Sequence, residues 1–332
     1  MNQSSGNFQK LAVKDLAKKT LCEGHLFLVS KEGRKFYVMQ PGMLLDEDFI
    51  KKHALHNTVF DFEPVTKPEV VEKFSRLLKE LKYLQFEKDL RAKSVELVKY
   101  FHATYTGDEH FLNFALVCFQ EFNLIPMDHL KRMHALDINL FRKSLYSAAF
   151  SIITAITSDF YHYTMLRDFF NLTLSLDMGL CDANYSYYVA KACNRENQEP
   201  GTGKQWMIDE KSSALEQEVF LGHPRKSYEF IKSLSILSYP ELAEITLYQH
   251  ELSSGKGFPR GISKGQVSSW EAVVLFADSL VEIEDTFNFE REVIVHLLNF
   301  HNSKLAELPV GRVHNKMCKA FDYFESHKET GT

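Results

Sequence analysis

Two long apolar segments, residues 111–122 and 140–156, constrain the fold of this chain more than any other feature. Both are too long for ordinary strands and contain few residues that favour turns, so each is predicted to form a helix. The chain has 332 residues, of which 45% are hydrophobic and 25% charged, so it can bury one large core or two modest ones. From Asp108 onward the chain is predicted to be predominantly helical.

The first 66 residues have a different pattern. Residues 25–30 and 34–40 are short β-rich runs on either side of a Lys-Glu-Gly turn, and residues 58–62 are a third predicted strand. Residues 46–53 have a helical pattern, with apolar side chains spaced to pack on the strands: Leu45, Phe49 and Ile50. The predicted fold class is therefore mainly α, with a small α/β module over residues 1–66.

Residues 67–105 are predicted to form a helical linker between this module and a helical domain over residues 106–332. Apolar residues recur there at intervals of three and four among alternating lysines and glutamates, namely Val71, Phe74, Leu77, Leu78, Leu81, Leu84 and Phe86. The charged outer face is typical of a solvated helix, and a specific docking surface is the alternative.

A glycine-rich loop follows a His-Glu pair in residues 249–261. Its three glycines permit backbone angles closed to other residues and let the main chain approach a ligand, while Pro259 prevents a helix from continuing. Glycine and proline clusters also mark ordinary turns, so the loop alone leaves both interpretations open.

The residues around this loop resemble the signature of the HD-GYP family, helical metal-dependent phosphodiesterases that hydrolyse cyclic di-GMP. That signature is a histidine doublet and a glutamate, followed by Asp-Gly-x-Gly-Tyr-Pro. Here residues 249–251 read Gln-His-Glu and residues 254–259 read Ser-Gly-Lys-Gly-Phe-Pro, which match without a gap. Three positions differ from the family: Gln249, Ser254 and Phe258.

Other family elements keep the same register. Residues 222–224 resemble a His-Pro element, and residues 267–278 resemble the helix that ends in a metal-binding aspartate. Ser268 and Glu271 have capping-box spacing and would start that helix, which places Asp278 about two turns inside it. The resemblance covers roughly residues 110–290, and the amino-terminal module resembles one that precedes some HD-GYP domains.

The resemblance implies four metal ligands: Asp177, His223, His250 and Asp278. Other ligand positions carry residues that differ from the family, since Tyr146, Leu176 and Gln249 stand where histidines are expected and Leu180 stands where a lysine is expected. The remaining imidazoles and carboxylates could hold one Fe, Mn or Zn ion if they converge. A full two-metal site is not expected.

The loop residues Gly257, Phe258, Pro259 and Arg260 are predicted to bind a ligand. Phe258 keeps a stacking face for guanine, and Arg260 can form a bidentate contact with a phosphate. The partner implied by the resemblance is cyclic di-GMP or a GGDEF-domain protein.

Two functions follow from the resemblance. In the first, the chain is a degenerate HD-GYP protein of bacterial cyclic di-GMP signalling, which is inactive or very weak as a phosphodiesterase and acts by binding a nucleotide or a protein. In the second, it is an active metal-dependent phosphohydrolase, acting on cyclic di-GMP or another phosphoester, with a rearranged metal site and Asp177 as its catalytic residue.

Charge and hydropathy argue against a nucleic-acid-binding protein and against a membrane-spanning one. A formal net charge of −5 and a pI near 6.3 give no global attraction for nucleic acid. No apolar run approaches the roughly 20 residues that span a bilayer, and the polar amino terminus does not resemble a signal peptide. A cytoplasmic location is therefore expected.

Overall fold

The computed structural model describes residues 8–181, 213–251, 255, 257–258, 260–261, 267–282, 290–300 and 310–326. Pro259, one of the predicted ligand-binding residues, lies outside these ranges. Among the described residues, no helix is long and apolar enough to cross a membrane.

The amino-terminal module is a four-stranded antiparallel sheet with two short helices. Its elements are β1 (Gln9–Ala12), α1 (Val13–Leu16), β2 (Gly24–Val29), β3 (Lys35–Met39), α2 (Glu47–Ala54) and β4 (Val59–Pro64), and the strand order is β1-β4-β2-β3. The Asp46 side chain caps α2 by accepting a hydrogen bond from the Phe49 backbone N–H at 2.6 Å. The predicted hairpin, third strand and helix are all present, whereas β1 was not predicted because its four residues have no alternating pattern.

The rest of the described chain is helical, which confirms the predicted fold class. The helices are α3 (Pro68–Tyr83), α4 (Glu87–Thr104), α5 (Asp108–Phe122), α6 (Met127–Leu136), α7 (Ile138–Thr157), α8 (Tyr163–Leu174), α9 (Ala214–Leu234), α10 (Ser269–Glu282), α11 (Arg291–Phe300) and α12 (Gly311–Ser326). Two 3-10 helices, Met178–Cys181 and Pro240–Tyr248, flank α9 in sequence.

Helix α7 is the centre of this architecture. All residues from 143 to 156 are buried, and α7 contacts α4, α5, α6, α8, α10 and α12. A helix that is buried on every side needs apolar neighbours on every side, which explains why its sequence shows no polar face. Any charged residue on this helix must therefore find its partner inside the protein.

The predicted linker helices pack into the same core. Helix α3 buries Val70, Phe74, Leu77, Leu78 and Leu81, and it contacts α4 and α5. These side chains belong to one apolar cluster with those of α7, while the sheet has a smaller cluster around Leu26 and Phe60. The boundaries at residues 66 and 105 stay a prediction.

Candidate functional site

Four elements bring the predicted metal ligands together next to α7. Asp177 precedes the first 3-10 helix, His223 lies in α9, His250 follows the second 3-10 helix and Asp278 lies in α10. Asp177 and Asp278 are each 4% exposed and His223 is 1% exposed. The predicted capping box is confirmed, because the Glu271 backbone N–H donates to Ser268 Oγ at 3.1 Å and the Glu271 carboxylate accepts from the Ser268 backbone N–H.

Gly179 allows the first 3-10 helix to lie very close to α9. The Gly179 backbone N–H donates to Ser227 Oγ at 2.8 Å, which ties the first 3-10 helix to α9. A Cβ atom at Gly179 would lie 2.2 Å from the His223 carbonyl oxygen and 2.9 Å from the Ser227 backbone nitrogen. Only glycine fits between the two backbones, and this contact places Asp177 beside His223.

A lysine holds the two carboxylates of the site. Lys143 Nζ lies 2.8 Å from Asp177 Oδ2 and 3.4 Å from Asp278 Oδ1, and the lysine is 3% exposed. Sequence reasoning missed Lys143. The available signal was a single lysine inside the apolar residues of α7, where a charge cannot reach solvent.

Tyr146 stands where the resemblance predicts a ligand histidine, and it lies one turn beyond Lys143 on α7. Its ring is fully buried, 5.1 Å from the ring of Phe111 and 5.7 Å from the Arg142 guanidinium. Burial raises the pKa of the Tyr146 hydroxyl far above its ordinary value. Leu176 and Leu180, which stand where a histidine and a lysine are expected, are buried in the apolar core.

The imidazoles form the second half of the site. His223 Nδ1 lies 2.5 Å from the Phe220 carbonyl oxygen, which can only accept, so Nδ1 carries the proton and Nε2 presents a lone pair. Burial lowers the pKa of His223 to about 4, and burial together with His223 and Lys143 holds the pKa of His250 well below its ordinary value. Both rings are therefore neutral at pH 7.

The third side chain on the imidazole side of the site is the amide of Gln249, which stands where the HD-GYP signature has the first histidine of its doublet. Gln249 Nε2 lies 2.5 Å from His223 Nε2 and 3.1 Å from His250 Nε2, and the two imidazole Nε2 atoms are 3.0 Å apart. His223 Nε2 is also 3.7 Å from Asp177 Oδ1. The Gln249 amide therefore donates to the lone pair that a metal ion would need.

The glycine-rich loop folds back over the imidazoles. The Phe258 backbone N–H donates to the His250 carbonyl at 3.1 Å, and the Phe258 ring stacks on the His250 ring with centroids 4.6 Å apart. Glu251 is fully buried, and its Oε1 accepts from the Arg260 and Gly261 backbone N–H groups at 2.6 and 3.1 Å. Gly261 has a φ of 61°, a left-handed conformation that favours glycine.

The predicted ligand-binding side chains of the loop differ in exposure. Phe258 is half-buried, and one face of its ring is covered by His250. Arg260 is exposed, and its guanidinium donates to the Tyr248 hydroxyl and lies 4.7 Å from the centre of the Tyr248 ring. Gly257 is half-buried, and between Phe258 and Arg260, the two predicted ligand-binding side chains that the structure describes, Arg260 is the more exposed.

Comparisons with known proteins do not identify the family of this chain. No family model and no curated protein matches this chain. One solved structure that it matches is described as Bd1817, a HDG"Y"P protein from Bdellovibrio bacteriovorus. The two chains are 10% identical, the alignment covers 95% of this chain and 100% of the other, and the TM-score is 0.38. A likeness at this level carries no conclusion about function.

The residues of the site do not fit a two-metal centre. Such a centre needs two cations about 3.5–4 Å apart, bridged by a carboxylate. The Lys143 ammonium already occupies the position between Asp177 and Asp278 that an ion shared by them would take. The described His, Cys, Asp and Glu side chains form no group of three or more that could hold a metal ion.

A single ion on the imidazole side stays a prediction. The distances of 3.0 and 3.7 Å around His223 Nε2 bracket the separation of about 3.4 Å between ligand atoms of a tetrahedral ion with bonds of about 2.1 Å. The proton on His223 Nδ1 also fits a metal ligand, because such rings usually donate their other N–H to a carbonyl or carboxylate. An ion could bind only after Gln249 turned away.

Proposed function

We propose that this chain is a degenerate HD-GYP protein of cyclic di-GMP signalling, which binds a nucleotide or a protein and hydrolyses cyclic di-GMP very weakly or not at all. The observation that carries the proposal is the double contact of Lys143 with Asp177 and Asp278. The family aspartates that would hold metal ions are instead compensated by a side chain of the protein.

Two chemical consequences support the loss of hydrolysis. An ammonium group can balance negative charge, but it cannot coordinate a water molecule and lower its pKa as a divalent ion does. The acceptor atoms are also enclosed, because Asp177, His223 and Asp278 are buried and Phe258 lies on His250. A phosphodiester could reach the covered face of the His250 ring only by displacing Phe258.

Turnover tests this proposal directly. With Mn²⁺ or Fe²⁺ supplied, hydrolysis of cyclic di-GMP should be absent or slower by several orders of magnitude than an intact two-metal site allows, where each factor of ten corresponds to about 1.4 kcal/mol of barrier. Product formation is measured by chromatography, and Asp177→Ala serves as the control that should show the same background. Stoichiometric conversion within minutes at low micromolar enzyme would contradict the proposal.

Arg260 is the residue through which binding can be tested separately from folding. Because it is exposed, Arg260→Ala should leave thermal stability nearly unchanged while weakening cyclic di-GMP binding about tenfold, the loss expected for a charged hydrogen bond worth about 1.5–3 kcal/mol. Binding is measured by calorimetry. The matched control is Arg225→Ala, an exposed arginine of α9 that pairs with Glu229. Equal affinity in all three proteins would remove Arg260 from the binding surface.

A cavity beside Arg260 favours a protein partner over the nucleotide. Its volume is 460 Å³, and Tyr248 and Trp270 contribute aromatic surface to it. Three glutamates also line the cavity, Glu241, Glu244 and Glu271, and their charge opposes a phosphate. If cyclic di-GMP does not bind, a GGDEF-domain protein with basic side chains at the contact is the partner to test.

One observation favours the second function, an active phosphohydrolase with a rearranged site. His223 carries its ring proton on Nδ1, and its Nε2 lies 3.0 Å from His250 Nε2 and 3.7 Å from Asp177 Oδ1, so it could act as a metal ligand if Gln249 turned away. Turnover of a phosphoester that depends on added metal and disappears in Asp177→Ala would establish this alternative.

A further inference from the structure

We propose that Lys143 is a tethered cation that takes the place of a divalent metal ion between Asp177 and Asp278, and that removing its side chain turns this position into a divalent-cation site. The lysine would thus balance the negative charge of two buried carboxylates in the helical part of the protein. It goes beyond the proposed function, because it holds whether or not the chain binds cyclic di-GMP.

The position of the ammonium group is the first observation. It lies within 3.4 Å of one oxygen from each carboxylate, and the three residues come from α7, the segment before the first 3-10 helix, and α10. Lys143 is separated from Asp177 by 34 positions along the chain, so the contact is made by the tertiary fold. All three side chains are at least nine-tenths buried.

The free-energy cost of burying Asp177 and Asp278 explains why a cation lies beside them. Removing a carboxylate from water is costly unless it is paired, hydrogen-bonded or bound to a metal. The Lys143 ammonium, 2.8 Å from Asp177 Oδ2 and 3.4 Å from Asp278 Oδ1, provides such a pairing, and a divalent ion at the same position would provide it as well.

The imidazole half of the site shows a parallel replacement. Gln249 Nε2 donates to His223 Nε2, where a metal ion would take the lone pair. Gln249 Oε1 is buried and has no hydrogen-bond partner within the described part of the chain. The amide nitrogen therefore lies at the side of His223 Nε2 that a metal ion would need, as Lys143 lies beside the carboxylates.

Alanine at position 143 would change both charge and space. It would remove the ammonium group and three side-chain carbons, leaving two buried carboxylates next to a vacated volume. Mn²⁺ accepts carboxylate and water oxygens as ligands, so it can fill such a position with few protein groups. The variant should consequently depend on a divalent cation where the parent does not.

The experiment compares the full chain with Lys143→Ala and with Lys143→Ala/Asp278→Asn. Each protein is treated with chelator, desalted and equilibrated with Mn²⁺, and bound Mn²⁺ and the unfolding temperature are measured. Lys143→Ala should bind one equivalent more than the parent, and Mn²⁺ at a hundredfold excess over its Kd should raise its Tm by about 4 °C. The double variant, which lacks one carboxylate, should lose that gain.

Several outcomes would overturn the proposal. Equal Mn²⁺ binding and equal Tm shifts in the parent and Lys143→Ala would show that the lysine does not occupy an ion position. Retention of the gain in the double variant would place the ion elsewhere. If Lys143→Ala does not fold even with Mn²⁺, no ion can replace the lysine. Turnover of cyclic di-GMP is assayed separately, so failure of the proposed function remains distinguishable.

Discussion

Replacing Lys143 by methionine is expected to lower the free energy of unfolding by about 3–5 kcal/mol, the usual loss when one partner of a buried ion pair is removed. Methionine keeps most of the side-chain volume but removes the charge. Asp177 and Asp278, each 4% exposed, would then lose the cation that lies 2.8 and 3.4 Å from their oxygens. Both carboxylates are buried, so each would keep the cost of its desolvation without the cation that compensates it.

Urea denaturation monitored by circular dichroism measures this loss. The control is Lys316→Met, because Lys316 pairs with Asp159 at the surface and exposed pairs contribute only about 0–1 kcal/mol. Adding Asp278→Asn to Lys143→Met should recover part of the stability by removing one unpaired charge. Equal losses in Lys143→Met and Lys316→Met would show that the buried contact is not a compensating ion pair.

The replacement of Gly179 by alanine is expected to destabilise the protein by about 1–3 kcal/mol or more, the range for adding atoms to a closely packed interior. The new Cβ would lie 2.2 Å from the His223 carbonyl oxygen, so the first 3-10 helix and α9 would have to separate. That separation would move Asp177 away from His223. Binding of any ligand to the site should weaken together with stability.

Gly222→Ala is the matched control for this prediction. Gly222 lies inside α9, one residue before His223, and a Cβ there meets no heavy atom within 4 Å. Alanine is favoured over glycine in a helix interior by about 1 kcal/mol, so this variant should be as stable as the parent or more stable. If both alanine variants behave alike in thermal unfolding, the close contact at Gly179 does not limit the packing of the two helices.

Much of the fold was predictable because its signals are local. Long apolar runs identified α5 and α7, β-rich runs and a turn identified β2, β3 and β4, and the Ser268–Glu271 spacing marked the start of α10. The choice of Asp177, His223, His250 and Asp278 came from the resemblance to the HD-GYP signature, whose register these residues match.

The partners of those residues were not predictable in the same way. The amino-acid sequence shows carboxylates and imidazoles at the intervals of the family signature, and a glycine at position 261 that can adopt a left-handed conformation. The contacts of Lys143 with the carboxylates, of Gln249 with the imidazoles and of Phe258 with His250 arise from the packing of distant segments. The physical reason is that the free energy of a buried charge depends on which groups the packed helices bring within about 4 Å of it, and that distance is a property of the whole core.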